Sequence, residues 1–174
     1  KEKKDGTLTI NTSQLADIPT VIFFRALGLE TDHEIIANCC YSTDDTNIIN
    51  LIKPSIDFPT DEFNNHIRTK EQAIEFLITK LRRNRRFSMT DEDLAKKQKR
   101  IFLDKIFRQD LLPHLGEDIP LKIRFLGRMI NKLFKVILKR VEPDDRDALQ
   151  NKRIETPGVL IGQLFRQNWK KMLN

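Results

Sequence analysis

Apolar residues recur at helical spacing through most of the chain after Pro19. In IPTVIFFRALG, Pro19 takes a first-turn position and Gly28 the position just past the end, so Val21, Ile22, Phe23, Phe24 and Leu27 are predicted to bury. TDHEIIANCCY opens on Thr31 with Glu34 three residues later, the pattern of a capping box. TDDTNIINLIKP is predicted to start at Asp44 or Asp45 and to end before Pro54, since the residue before a proline disfavours the helical region. RTKEQAIEFLITKLRR takes Thr69 as its N-cap and places Ala73, Ile74, Phe76, Leu77 and Leu81 on one stripe. The longest helical signal begins under a Thr90 cap, carries Asp91, Glu92 and Asp93 at its positive pole, and is ended by Pro113 and Gly116. In DIPLKIRFLGRMINKLFKVILKRV, the set Ile123, Leu126, Ile130, Leu133, Phe134, Ile137 and Leu138 is wide enough for a nearly central helix. TPGVLIGQLFRQNWKKML closes the chain as a helix with Pro157 near its start.

Two stretches break the helical pattern. Thr7 to Ile10 alternates polar and apolar residues and reads as a short strand, which needs a partner, expected in a neighbouring domain. Ser55 to Ile67 has no period and reads as loop, with one extended segment expected at residues 66–68. The predicted class is mainly α with a small β element (α+β). No internal repeat or low-complexity segment is present.

Composition narrows the function. At 174 residues the chain can build one real core, but its 39% apolar and 32% charged content describes a highly charged domain or a piece of something larger. The opening KEKKDG lacks an initiator Met, as expected of an excised piece. A net charge of +6 and a pI near 9.4 favour an anionic partner such as nucleic acid. Cys39 and Cys40 are adjacent on an apolar helical segment, which predicts buried, free thiols of a reduced, intracellular chain and no zinc site. No apolar run reaches the roughly 20 residues of a membrane span.

The candidate chemistry is sparse. His33, His66 and His114 lie far apart at no ligand-like spacing, and neither a glycine-rich phosphate loop nor a nucleophile elbow occurs. KLRRNRRF places Lys80, Arg82, Arg83, Arg85 and Arg86 within a few residues, and a second basic run spans Lys96 to Arg100. Such a run is either a solvated helix end or a phosphate-facing patch; few aromatics are interleaved, so base stacking is not expected there. DDRDALQNKR, from Asp144 to Arg153, concentrates three aspartates beside Arg146, Lys152 and Arg153. Asp144 or Asp145 suits the N-cap of a short turn. A Mg²⁺-dependent enzyme built on Asp144, Asp145 and Asp147 is the rival reading, although nothing nearby supplies a second ligand group. An independent basic helical nucleic-acid-binding module is another.

Four phrases in order resemble one family. IPTVIFFRALGLETDHEI (18–35), LLPHLG (111–116), KIRFLGRMINKLF (122–134) and DDRDALQNKRIETPGVLIGQLF (144–165) resemble the signatures of the lobe of the second-largest subunit of multisubunit DNA-directed RNA polymerases, of eukaryotic or large-DNA-virus type. The chain departs from the common cellular pattern at Ala148, where an aromatic or His is frequent, and at Gln150, where Gly is frequent. The resemblance implies a boundary, with residues 1–17 a junction strand to the neighbouring protrusion domain and 18–174 the lobe. It implies a wall of the DNA cleft and a docking surface for initiation and elongation factors, in contact with the largest subunit and other domains of its own. It also implies a non-catalytic part of a nucleotidyltransferase, with no cofactor in this domain and the enzyme's Mg²⁺ bound elsewhere. The expected location is the nucleus, or the cytoplasm or virion for a viral enzyme. By position, Asp147 becomes a candidate acceptor from base edges of the non-template strand and Lys152 a phosphate or base contact. Arg153 then supports the turn or reaches phosphate, and Asp144 and Asp145 fix the turn.

Overall fold

In the computed structural model, which describes residues 6–41, 45–57, 67–81 and 92–173, the strand expected at Thr7–Ile10 finds its partner inside the chain. β1 (Thr9–Ile10) pairs antiparallel with β2 (Ile18–Pro19), in the register Thr9 to Pro19 and Ile10 to Ile18. Thr20 N–H extends the ribbon by donating to the Leu8 carbonyl at 3.0 Å. The expectation of a partner in a neighbouring domain is therefore corrected. Leu8, Leu15 and Ile18 are all buried in the core, so the hairpin closes on its own chain because that hides its apolar face.

Two units form along the sequence, residues 1–141 and 142–174. The first is built around α1 (Thr20–Leu27), every residue of which is buried. The helix stops at Gly28, whose φ of 120° lies outside the range L side chains tolerate; its N–H closes the last turn onto the Phe24 and Arg25 carbonyls. Around α1 pack α3 (Thr46–Asp57), α4 (Lys70–Lys80) and α6 (Ile119–Ile137), with the β ribbon. α2 (Asp32–Cys39) lies against α6, and α5 (Glu92–Lys105) against α4. Phe23 meets Phe107 edge to face at 5.6 Å between ring centres, a favoured aromatic geometry.

The capping residues are where the pattern placed them. Thr31 accepts from Glu34 N–H while Glu34 accepts from Thr31 N–H, and Thr69 and Gln72 form the same box at the start of α4. Thr90 and Asp91, the expected start of the α5 signal, lie outside the described residues. On α6 the stripe Ile123, Leu126, Ile130 and Phe134 is buried, with Leu133, Ile137 and Leu138 partly so. Phe24 is buried as well.

The expected stop before Pro54 is corrected: α3 runs on to Asp57. A proline costs one helical hydrogen bond and crowds the preceding turn. Here Ile52 and Ser55 flank it on the buried face, and Ser55 Oγ accepts the Leu8 N–H at 2.9 Å, so tertiary contacts hold the last turn in place. Ser55 to Asp57 is thus helix rather than loop. Residues 58–66, with His66 and most of the expected extended segment, lie outside the described residues.

Two features fix how α2 meets α6. A Cβ at Gly127 would stand 2.2 Å from the Asn38 carbonyl oxygen, so the helices touch backbone to backbone there. One turn on, buried Asn131 donates its side-chain amide to the Cys39 carbonyl at 2.8 Å, satisfying an acceptor that the end of α2 leaves open. Where α5 passes into a π-helical turn (Ile106–Asp110), Lys122 of α6, 0% exposed, donates Nζ–H to the Phe107 and Arg108 carbonyls at 2.9 and 2.6 Å. Burial pushes that ammonium's pKa below its usual value, and Glu117 partly offsets the effect.

The packing generates three expectations. Phe134→Ala should lower unfolding free energy by about 3–5 kcal/mol, read from denaturant curves; a loss under about 1 kcal/mol would mean the stripe is not core. Gly127→Ala should cost about 3 kcal/mol, because the new methyl meets backbone rather than a side chain that can swing away. A neutral result would place α2 farther from α6 than it is here. Both cysteines are free and buried, and desolvation first, then the neighbouring Cys40, pushes the Cys39 thiol from 9.0 up to about 12. The native fold holds this proton more tightly than the unfolded chain does. Its contribution to stability is therefore complete below pH 9 and is lost between 9 and about 12. At pH 8 iodoacetamide should alkylate Cys39 in urea-unfolded chain roughly a thousandfold faster than in the native fold, the ratio of thiolate fractions. Equal rates would contradict the buried thiol.

Candidate nucleic-acid interface

The second unit carries the aspartate-rich stretch. It is a tight polar turn followed by α7 (Pro157–Leu173). Asp145 organises it: its Oδ1 accepts Asp147 N–H at 2.9 Å, and its backbone carbonyl accepts the Asn151 side-chain amide at 2.9 Å. A single turn of 3-10 helix (Leu149–Asn151) follows, closed by Asn151 and Lys152 N–H groups onto the Ala148 and Leu149 carbonyls. Asp145 therefore fixes the turn, but through an Asx turn onto Asp147 rather than as the N-cap of the short helix. That position belongs to Ala148, which has no side chain to cap with. The reason is spacing: Asp145 stands too far ahead of Leu149 to reach its first N–H groups.

Among the sequence candidates, the turn brings Asp147 and Lys152 together. Lys152 Nζ lies 3.4 Å from Asp147 Oδ1, with the lysine side chain 50% and the aspartate 91% exposed. An ion pair this open contributes about 0–1 kcal/mol, so either partner can exchange it for another ligand at little cost. Arg153 is exposed beside them and makes no ion pair among the described residues. The turn thus presents Asp147, Lys152 and Arg153 to solvent, on a backbone held by these four side-chain and main-chain hydrogen bonds.

The basic run is not part of this arrangement. Lys80 ends α4 in the first unit, its Nζ 5.7 Å above the Phe76 ring, a cation–π contact within one helix turn. Arg82, Arg83, Arg85 and Arg86 lie outside the described residues. Lys96 and Lys97 are exposed on α5, and Arg100 there pairs with Glu71 of α4. His33 and His114 are exposed, and His114 packs edge to face on Phe125 at 5.2 Å. Among the described residues no three His, Cys, Asp or Glu side chains converge as a metal site would require. In the Asp144–Asp147 stretch one carboxylate is already committed to a backbone N–H.

A second set of cations, not among the candidates from the sequence, lies on α6. Between Asp118 and Glu142 stand seven Lys and Arg residues and no acid. Arg124, Arg128 and Lys132, four apart, lie exposed on the helix, while Lys122 is buried. The signal was available in the four-residue spacing, but the apolar stripe running between those residues dominated the segment.

Similarity to known proteins bears on the whole chain. Residues 1–155 match the family model described as RNA polymerase Rpb2, domain 2. The DNA-directed RNA polymerase subunit 2 of Acanthamoeba polyphaga mimivirus is 32% identical over 188 residues, covering 100% of this chain and 15% of that protein. The DNA-directed RNA polymerase II subunit RPB2 of Meyerozyma guilliermondii is 36% identical over 160 residues, covering 90% of this chain and 12% of that protein. The subunit Rpo2 of Sulfolobus acidocaldarius is 33% identical, covering 96% and 14%. The chain therefore spans about an eighth to a seventh of the length of these relatives. Among the described residues the fold is mainly helical with one two-stranded ribbon, as the four ordered signatures implied. By a family match across most of its length, this chain belongs to domain 2 of the Rpb2 family, the second-largest subunit of DNA-directed RNA polymerases.

Proposed function

We propose that the chain is the lobe of such a subunit, with residues 18–174 forming one wall of the cleft that holds DNA and offering a docking surface to transcription factors. The family match carries this reading, because it spans residues 1–155 and so takes in the whole of the first unit and the aspartate-rich turn. The assembled polymerase transfers nucleotidyl groups; this domain contributes no reacting group, and the Mg²⁺ of the enzyme is held by other parts. Its partners are the largest subunit, the remaining domains of its own subunit, and DNA. Its place is the nucleus, or the cytoplasm or virion if the enzyme is viral. Within that frame the turn meets the non-template strand. Asp147 accepts hydrogen bonds from exposed base amines, Lys152 offsets the repulsion between that carboxylate and the phosphates, and Arg153 reaches phosphate. The open geometry of the Asp147–Lys152 pair favours this role, since a pair so exposed gives up little when it turns to a nucleic acid.

Open-complex lifetime on a promoter, measured with the whole polymerase carrying Lys152→Ala or Asp147→Ala, is the test. Each variant should shorten the lifetime roughly fivefold, equivalent to about 1 kcal/mol per exposed charged contact. If both variants assemble and hold the bubble as long as wild type, the turn is scaffold and the strand contact is wrong.

A further inference from the structure

The cations paired on this surface set off those that are not. Arg100 is paired with Glu71, Arg108 with Asp104 at 2.9 Å, and Arg140 with Asp45 through both guanidinium nitrogens. Arg124 and Arg128 differ: both are exposed on α6, and neither makes a hydrogen bond or ion pair among the described residues. They flank one depression of about 410 Å³, which Ala37, Asn38 and Tyr41 complete from the end of α2, with Phe125 also in its lining. Tyr41 is 65% exposed, so the face of its ring is open to a ligand that enters the depression. The close approach at Gly127 is what brings the end of α2, and Tyr41 with it, beside the two arginines.

We propose that this depression is a binding site for a single-stranded nucleic acid. Arg124 and Arg128 take backbone phosphates, and Tyr41 stacks on a base between them. Three observations converge on that ligand. The arginines are one helical turn apart, a rise of about 6 Å, so they address successive points along a strand rather than one anion. Between Asp118 and Glu142 the chain places seven cations and no acid, so a strand lying along α6 meets no carboxylate of that helix. The combination of a cationic track with a solvent-facing aromatic is what single strands use and duplexes, whose bases are stacked internally, cannot. Asn38 adds an amide at the rim, though its Nδ2 donates to the Glu34 carbonyl at 2.9 Å, which leaves its side-chain oxygen as the free acceptor. The site lies in the first unit and uses none of the residues of the aspartate-rich turn. It rests on the lobe reading only in that a polymerase supplies the unpaired strand.

The experiment uses the full-length subunit assembled in its polymerase, with a photoreactive benzophenone amino acid in place of Leu121, which lines the same depression. The probes are labelled oligo(dT) and a duplex of equal length. The expected result is crosslinking to oligo(dT) in preference to the duplex, cut at least about fivefold by Arg124→Glu with Arg128→Glu and about threefold by Tyr41→Ala. Two lost phosphate contacts should also flatten the dependence of log yield on log salt by about 1.4. Arg124→Gln with Arg128→Gln, which only neutralises, should give the same direction if charge reversal prevents assembly. Crosslinks only to protein, equal yield with duplex, or yield unchanged in the Gln pair would each overturn the proposal. The two readings separate cleanly. Normal open-complex effects at Asp147 and Lys152 without a crosslink from position 121 leave the lobe reading standing and remove this site. A crosslink with no effect at the turn keeps this site and removes only the strand contact of Asp147 and Lys152.

Discussion

A helix with no exposed face must be surrounded, and that requirement organises the first unit. All eight residues of α1 are buried, including Thr20 and Arg25. Two turns of helix this apolar cannot be stable in water alone, so α3, α4, α6 and the β ribbon have to close around them. Burying Arg25 adds a second demand, because an unpaired guanidinium inside a protein costs several kcal/mol. Its two terminal nitrogens meet it by donating to the Ile67 carbonyl and to Asp32 in the first turn of α2, while Nε has no partner among the described residues. The charge on α1 thereby anchors both the start of α2 and the residue that leads into α4.

The same economy appears wherever the helical ladders loosen. The π-helical turn after α5 frees carbonyls that Lys122 collects, and the end of α2 leaves a carbonyl that Asn131 takes. Each of these polar ties comes from α6. That helix thus serves the core with one face, the neighbouring helix ends with buried polar side chains, and solvent with a third face made of cations. Because Gly127 lets α2 come to backbone contact, the cationic face and the exposed Tyr41 share a depression. Packing and surface chemistry on α6 are in this sense one arrangement.

The aspartate-rich turn works on a different principle. Its shape is set locally, by Asp145 and Asn151, so it needs no core beneath it to present Asp147 and Lys152. A turn that is self-supporting and exposed at all its charged residues is suited to meeting a partner supplied by the rest of a large assembly. The side chains of α7 beyond it, including Leu164, Phe165 and Trp169, are likewise exposed, with Phe165 stacked on Trp169 at 6.0 Å.

The sequence by itself determined what depends on near neighbours. Period and caps placed the helices from Thr31 and Thr69, the stripe from Ile123 to Phe134, and the stop at Gly28, because each needs only residues within a few positions. Four ordered phrases were enough to identify the family, since they preserve residue types at fixed spacing. The tertiary structure decided what depends on distant partners. The partner of β1, the continuation of α3 through Pro54, the burial of Lys122 and the pairing of Arg25 all rest on contacts between segments far apart in sequence. The Asx turn at Asp145 was within local reach, yet Asp144 and Asp145 suited the position equally, and only the folded backbone shows that Asp145 fixes the turn, and does so without capping the short helix. The depression beside Arg124 and Arg128 was least legible of all. Its arginines are visible as a spacing, but the ring that completes it comes from another helix's end, brought there by a glycine whose role appears only when two backbones touch.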